Sequence, residues 1–329
     1  MLGRRTTLEL VRWLLLAIVV AGGIWYAARH PEVVSALKGV PLVSLLAILV
    51  LELVARVLQG YKLKLMSGVF GVGLRFREWF GLTVCASMYS YLLPARAGAG
   101  VQALYLKKQY GLPFAHFGSL VAAMNVLILV VAGAVGLCAS VIQLSSVKPT
   151  APTLLFVFLG LFVLSMGGCA VLAVLTSLVK YVPTQALRQI ASSVSDGLKM
   201  LARRRDVLLK VSGLHVAHII CGGAQFYIAF RSLGMEATLS QGIVVSALSA
   251  FAMFLALTPA SLGINEGVIS AAGQLLGLSA QKALVGAVVY RGVTILVSFA
   301  LGWVFNHVLL RGVMIEGGSA AESRDAPKT

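Results

Sequence analysis

The sequence predicts an all-α polytopic membrane protein, with six spanning helices plus two re-entrant broken-helix hairpins in an inverted repeat. Three observations predict it. Hydrophobic residues make up 59% of the chain and charged residues only 12%, about half of the roughly 25% with which a soluble domain covers its surface. The apolar residues fall in long uncharged runs between short basic stretches, and in lipid only a helix satisfies its own backbone along such a run. Two of the runs are interrupted at matching places by a proline and a glycine at the same spacing.

The elements follow in order. The run at 13–28 comes after Arg4, Arg5 and Arg12. No small-residue cleavage site follows at Ile24-Trp25-Tyr26, so it is expected to remain as an uncleaved signal anchor. Runs 40–58, 117–142, 153–179, 208–230 and 281–310 each approach the roughly 20 residues that cross a bilayer core. Segment 79–108 is broken at Pro94-Ala95-Arg96-Ala97-Gly98-Ala99-Gly100, and segment 240–277 at Thr258-Pro259-Ala260-Ser261-Leu262-Gly263; proline ends a helix and glycine lets the chain turn. Residues 79–93 make only about 22 Å of helix, short of a core of about 30 Å. The predicted divisions are a signal-anchor span (1–39), a first repeat (40–142), a connecting span with an interfacial helix (143–207), a second repeat (208–311) and a disordered cytoplasmic tail (312–329).

Charge sets the orientation. If each broken segment leaves on the side it entered, the N-terminus, the loop with Lys62, Lys64, Arg75 and Arg77, the Lys107-Lys108 pair and the basic connector 180–210 share one face. Lysine and arginine favour the cytoplasmic side, so both termini are expected in the cytoplasm of a cell inner (cytoplasmic) membrane. The net charge of +16 is read the same way, as charge facing anionic lipid heads and not nucleic acid. In the connector, Leu187, Ile190, Val194, Leu198 and Leu201 form an apolar stripe, which suits a helix in the interface or one packed on the spans.

Span 40–58, hairpin 79–108 and span 117–142 match span 208–230, hairpin 240–277 and span 281–310. Both breaks read Pro-x-x-x-Gly, and a polar residue follows each, Asn125 in one half and Arg291 in the other. Paired broken helices of opposite orientation point to a transporter's central site.

Ionisable residues at membrane depth are costly and need a partner or a polar cavity. The candidate substrate-binding set is Pro94, Arg96, Gly98, Asn125, Pro259, Ser261, Gly263, Asn265, Glu266 and Arg291. Arg96 offers a planar fork to phosphate, and half-helix N-termini suit anions. Glu266 suits a cationic group, Arg96 or Arg291, a coupling proton, or simply its own helix dipole. Asn125 suits a hydrogen bond between helices. Glu52 and Arg56, four residues apart, are expected to pair with each other near the cytoplasmic end of their span. His215 and His218 read as satisfied buried histidines and not as metal ligands. Cys85, Cys138, Cys169 and Cys221 read as small buried packing residues. No nucleotide loop, dinucleotide fingerprint, metalloprotease motif or nucleophile elbow is present, so neither catalytic residues nor a cofactor are expected.

At Leu93-Pro94-Ala95-Arg96-Ala97-Gly98, at Thr258-Pro259-Ala260-Ser261-Leu262-Gly263 with Glu266, and at Tyr290-Arg291, the chain resembles the flippase-like family related to the transmembrane region of lysylphosphatidylglycerol synthases. The resemblance covers roughly 10–310. The family's first motif carries a glutamate and an arginine where this chain has Ala99 and Gln102, a charged cluster in the next span is reduced to Met124, Asn125 and Ile128, and a glycine pair is Leu262-Gly263. The resemblance implies a lipid or lipid-linked substrate moved between leaflets. Lipid aminoacylation is not expected, because the soluble transferase domain is not in this chain. Three readings follow: a translocator of phospholipid or polyprenyl-linked lipid, with an anionic headgroup as partner; a non-transporting membrane partner of a lipid-modifying or glycosyl-transferring enzyme; and an ion-coupled transporter of a small solute. A homo-oligomer is compatible with each.

Overall fold

A computed structural model describes residues 38–92, 97–144, 151–178, 185–255 and 263–310, together with Ser35 and Ser261. The described residues form helices without strands: α1 (Leu42–Gly68), α2 (Phe76–Leu92), α3 (Ala97–Tyr110), α4 (Phe114–Leu144), α5 (Ala151–Leu178), α6 (Gln185–Arg203), α7 (Arg205–Ser232), α8 (Leu239–Ala252), α9 (Ile264–Leu275) and α10 (Ala280–Phe305). A tighter turn, Met253–Leu255, extends α8, and a wider one, Asn306–Leu310, extends α10. Four helical stretches are long and apolar enough to cross a membrane: Leu42–Gly68, Phe114–Gln143, Arg205–Ser232 and Ala280–Leu309. Helix α5 runs for 28 residues, and its Pro152–Gly168 part is apolar. The expected anchor at 13–28 and tail at 312–329 lie outside the described residues.

Both interrupted segments fold back on themselves. Helix α2 has 17 residues and α8 has 14 before its tighter turn, about 25 and 21 Å of helix. At the mouth of the first fold-back, Glu78 accepts the Arg75 N–H of its own first turn (2.8 Å) and the hydroxyls of Tyr105 (2.9 Å) and Tyr110 (2.7 Å) at the end of α3. At the second, Gln241 accepts the Thr238 N–H (2.9 Å) and donates to the Leu276 carbonyl (3.1 Å) just past α9. Each is the third residue of its helix, where a side chain caps the exposed N–H groups of the first turn. Each therefore ties the start of one arm to the end of the other.

Three apolar clusters hold the helices together. Leu63, Leu82, Leu106, Leu120 and Val211 gather around the first hairpin, and Ala132, Phe158, Phe226, Val244 and Ile269 around the second. Ile48, Ala229 and Val293 join α1, α7 and α10 between them. Helix α2 packs on α10, α8 on α4, and α1 on α7. Leu46, Val50, Phe156, Leu164, Leu296 and Val304 point outward, the belt expected of helices solvated by lipid tails.

Three details correct the sequence reading. Helix α1 continues through Gly68, so Lys62 lies inside it and is buried, not in a loop. The cause is local: α7 and α2 cover the last turns of α1, with Trp79 seated on Gly60. Cys138 is exposed on α4, because its position falls off the stripe that meets other helices, and Cys169 lies where side chains are not described. Two imidazole nitrogens, His215 Nε2 and His218 Nδ1, are buried without a partner among the described residues, so the histidines are only partly satisfied. The connector helix α6 packs on α4, with Gly197 against Ser119 and Leu201 in the first core cluster.

Candidate functional site

The polar centre is built from charges that the apolar helices cannot expose to lipid. On α1, Glu52 and Arg56 form an ion pair four residues apart, and both are buried. Gln225 of α7 donates to the second Glu52 oxygen (3.1 Å), and Arg56 also donates to Ser87 Oγ on α2. The pair expected near a helix end thus connects three helices. One turn further along α2, Tyr91 lies within electrostatic reach of Glu52, Arg56 and Arg291, and its hydroxyl is within hydrogen-bonding reach of the Arg291 guanidinium.

Arg291 is the meeting point of the two hairpins. Its Nε pairs with Glu266 Oε1, and both side chains are about nine-tenths buried, 11% and 13% exposed. Glu266 is the third residue of α9, and its other oxygen accepts the Gly263 N–H at 2.8 Å. One carboxylate therefore caps its helix and holds an arginine from α10. Tyr91, in the last turn of α2, reaches Arg291 from the tip of the first hairpin, and Glu266, in the first turn of α9, reaches it from the tip of the second. Tyr290 adds a phenol close to Glu52 and Arg56 and packs its ring on Phe226, 4.7 Å between centroids.

The remaining predicted residues divide clearly. Pro94, Arg96 and Pro259 lie outside the described residues. Gly98 is buried where α3 crosses α2, and a Cβ there would lie 1.9 Å from the Ala86 carbonyl oxygen. Asn125 is half-buried on α4, between Met124 and Ile128, which pack on different core clusters. Ser261 is buried with a φ of 57° and Gly263 has a φ of 84°, so the chain passes through two left-handed residues before α9 begins. Asn265 is buried, and its Oδ1 has no partner among the described residues. Of the ten candidates, the structure brings Gly263, Glu266 and Arg291 into direct contact.

Sequence reasoning left Glu52 and Arg56 outside the site and did not single out Ser87, Tyr91 or Gln225. The usable signal was the charge itself, since an acid and a base inside a span must find buried partners. Ala99 and Gln102 are accommodated without charge. Ala99 packs on the first core cluster, and Gln102 Nε2 donates to the Leu82 carbonyl at 3.4 Å.

Chemically, the arrangement offers two guanidinium groups, two carboxylates and two phenols in one buried region, with a helix N-terminus beside it. Such a set can exchange internal ion pairs for a charged ligand group or a proton. The model of the lysylphosphatidylglycerol synthase TM region matches residues 12–302, which takes in both hairpins and the whole polar centre. No curated protein matches the chain by sequence. The helical spans, the two fold-back segments and the match over most of its length place this chain, a multi-pass membrane protein, in the family of the lysylphosphatidylglycerol synthase TM region.

Proposed function

We propose that the chain is an integral membrane translocator, flippase-like in kind, that moves a phospholipid or lipid-linked anionic substrate between leaflets. The observation that carries the reading is the convergence of both hairpin tips on Arg291, through Tyr91 and Glu266. A phosphate entering this centre can replace the Glu266 carboxylate on the planar Arg291 fork. The released carboxylate keeps the Gly263 N–H as one hydrogen-bond partner. The N-terminus of α9 adds a partial positive charge to the same place.

The proposal includes an inverted repeat, α1–α4 against α7–α10, with α2/α3 and α8/α9 as hairpins that re-enter from opposite faces. Its support is a common register. Gly60 under Trp79 on α2 corresponds to Gly223 under Ile243 on α8, both at close helix crossings. Gly71 and Gly234 then end α1 and α7 with left-handed φ of 78° and 69°. Glu78 and Gln241, each seven residues later, make the same double tie. Gly111 and Gly277, with φ of 69° and 72°, close the hairpins. Opposite entry is supported by packing as well. The start of α8 meets the end of α4 through Gln143 and Ser240 at 2.5 Å, while the start of α2 meets the end of α10, with Gly81 against Phe305 and Leu309.

With the basic connector in the cytoplasm, the first hairpin dips from inside and the second from outside, in a cell inner membrane with both termini inside. The proposed divisions remain an anchor (1–39), two repeats (40–142 and 208–311), a connector (143–207) and a tail (312–329).

One observation favours a second reading, a non-transporting membrane partner of a lipid-modifying enzyme: each carboxylate in the centre is already paired with an arginine. An experimental structure in nanodiscs of anionic lipid separates the two. The translocator reading expects a lipid phosphate within hydrogen-bonding distance of Arg291; a centre still closed on its own ion pairs in several lipid compositions favours the partner reading.

A further inference from the structure

Ten residues along α1 from Glu52, about 15 Å, a second buried cluster is not used by the proposed translocation. Lys62 is buried, and its polar partner is Nδ1 of His215 on α7, at 3.1 Å. No carboxylate pairs with it among the described residues. With Lys62 as an ammonium, which only donates, Nδ1 accepts and the proton of a neutral His215 sits on Nε2. That Nε2 is buried without a partner among the described residues, as is Nδ1 of His218 one turn on. His218 is within electrostatic reach of Lys62, His215 and Arg56, and its ring is within hydrogen-bonding reach of the Ala55 backbone. Lys62 and Arg56, both on α1, are the charged groups that bear on the two rings. Helix α8 carries no ionisable residue, and among the described residues none from α4, α6 or α10 bears on them.

We propose that Lys62, His215 and His218 form a proton-binding site that couples proton uptake from the cytoplasmic side to separation of α1 from α7. This rests on the proposed reading of α1 and α7 as the first helices of two opposed repeats. In the unloaded state, a Lys62 N–H bonds to Nδ1 and holds the helices together. Loading transfers that proton to Nδ1, leaving an imidazolium and a neutral amine, and the amine takes one proton from cytoplasmic water. The pair goes from one positive charge to two. Nδ1 can then no longer accept, the Lys62–His215 bond is lost, and two cations face each other across the interface. A proton thus acts as a ligand that prefers the open interface.

Two readouts in nanodiscs test this. The first is the separation of spin labels on exposed Lys64 and Lys210, measured from about pH 8 to about pH 5.5, the range in which histidine changes charge. The second is NMR titration of nitrogen-labelled histidines, with the two rings assigned by His215→Asn and His218→Asn and exposed His307 as reference. The expected result is a longer label distance at low pH, in step with protonation of His215 or His218, and loss of the change in Lys62→Met. A distance that ignores pH, or rings that keep one protonation state throughout, overturns the proposal. If Lys62→Met does not fold, the wild-type distance and titration decide alone. In proteoliposomes, acid on the cytoplasmic side should speed wild-type lipid translocation at least threefold. Equal rates with and without the gradient overturn the coupling and leave the translocator reading intact. No translocation under any condition removes that reading, and the label distance still decides whether protons move the helices.

Discussion

Glu266 serves Arg291 and its own helix at once, pairing with the guanidinium through one oxygen and accepting the Gly263 N–H with the other. The two functions separate by substitution. Removing one partner of a buried ion pair strands the other charge, typically at a cost of about 3–5 kcal/mol, whereas replacing both with apolar residues is often neutral. Arg291→Met is therefore expected to destabilise strongly, and Glu266→Leu with Arg291→Met to recover much of the loss apart from the cap. Unfolding of the singles and the double in one detergent checks this; additive losses would mean that the pair is not coupled.

Gly98 and Gly100 provide a matched steric test of the first hairpin. A Cβ at Gly98 meets the Ala86 carbonyl, while at Gly100 it meets nothing within 4 Å. Overpacking of this kind costs about 1–3 kcal/mol or more, so Gly98→Ala should lower the melting temperature and Gly100→Ala should not. Equal melting temperatures for the two variants would contradict the close crossing of α2 and α3.

The mouth of the same hairpin should respond to acid. Burial pushes the Glu78 carboxyl up, but hydrogen bonds from Tyr110, the Arg75 N–H and Tyr105, with the nearby Arg75 charge, outweigh it and hold its pKa below the ordinary 4.5. A depressed carboxylate stabilises the fold above its unfolded value, and that contribution is lost as pH falls through the folded value. Melting temperature should therefore fall below about pH 4.5, with a shallower slope in Glu78→Gln. Identical slopes in the two proteins would show that the clamp carries no linkage.

Much of this architecture was legible in the sequence, and the exceptions have a common cause. The Pro-x-x-x-Gly spacing marks both fold-backs because those residue types act on the local backbone. Glu266 and Arg291 stood out because isolated charges in apolar runs need partners. Lys62 was misplaced, because a lysine covered by neighbouring helices and a lysine in a loop look alike along the chain. Glu52 and Arg56 were correctly paired, but the contribution of α2 and α7 to that pair depends on which helices cross, and composition does not encode it. Tyr91 gave no signal of its own, since its meaning comes from lying beside Arg291.

Topology is best read from α6. Ser195 is buried, so the exposed neighbours Asp196 and Lys199, with side chains 66% and 57% exposed, are the positions to label. In a cysteine-free background, Asp196→Cys should react only from the cytoplasm and Glu236→Cys only from outside. Labelling of position 196 from outside in intact cells would invert the proposed orientation.

The central claim is that the centre around Arg291 moves lipid, and fluorescent-lipid translocation in proteoliposomes tests it most directly, with folding verified and ion gradients supplied. The account predicts faster translocation of an anionic phospholipid or polyprenyl phosphate than in empty vesicles. It further predicts at least a tenfold loss in Arg291→Lys, which keeps the charge but not the planar fork, and in Glu266→Gln, which keeps a capping oxygen, with both variants still folded. Wild-type protein that moves none of a panel of anionic, zwitterionic and polyprenyl lipids faster than empty vesicles would contradict it.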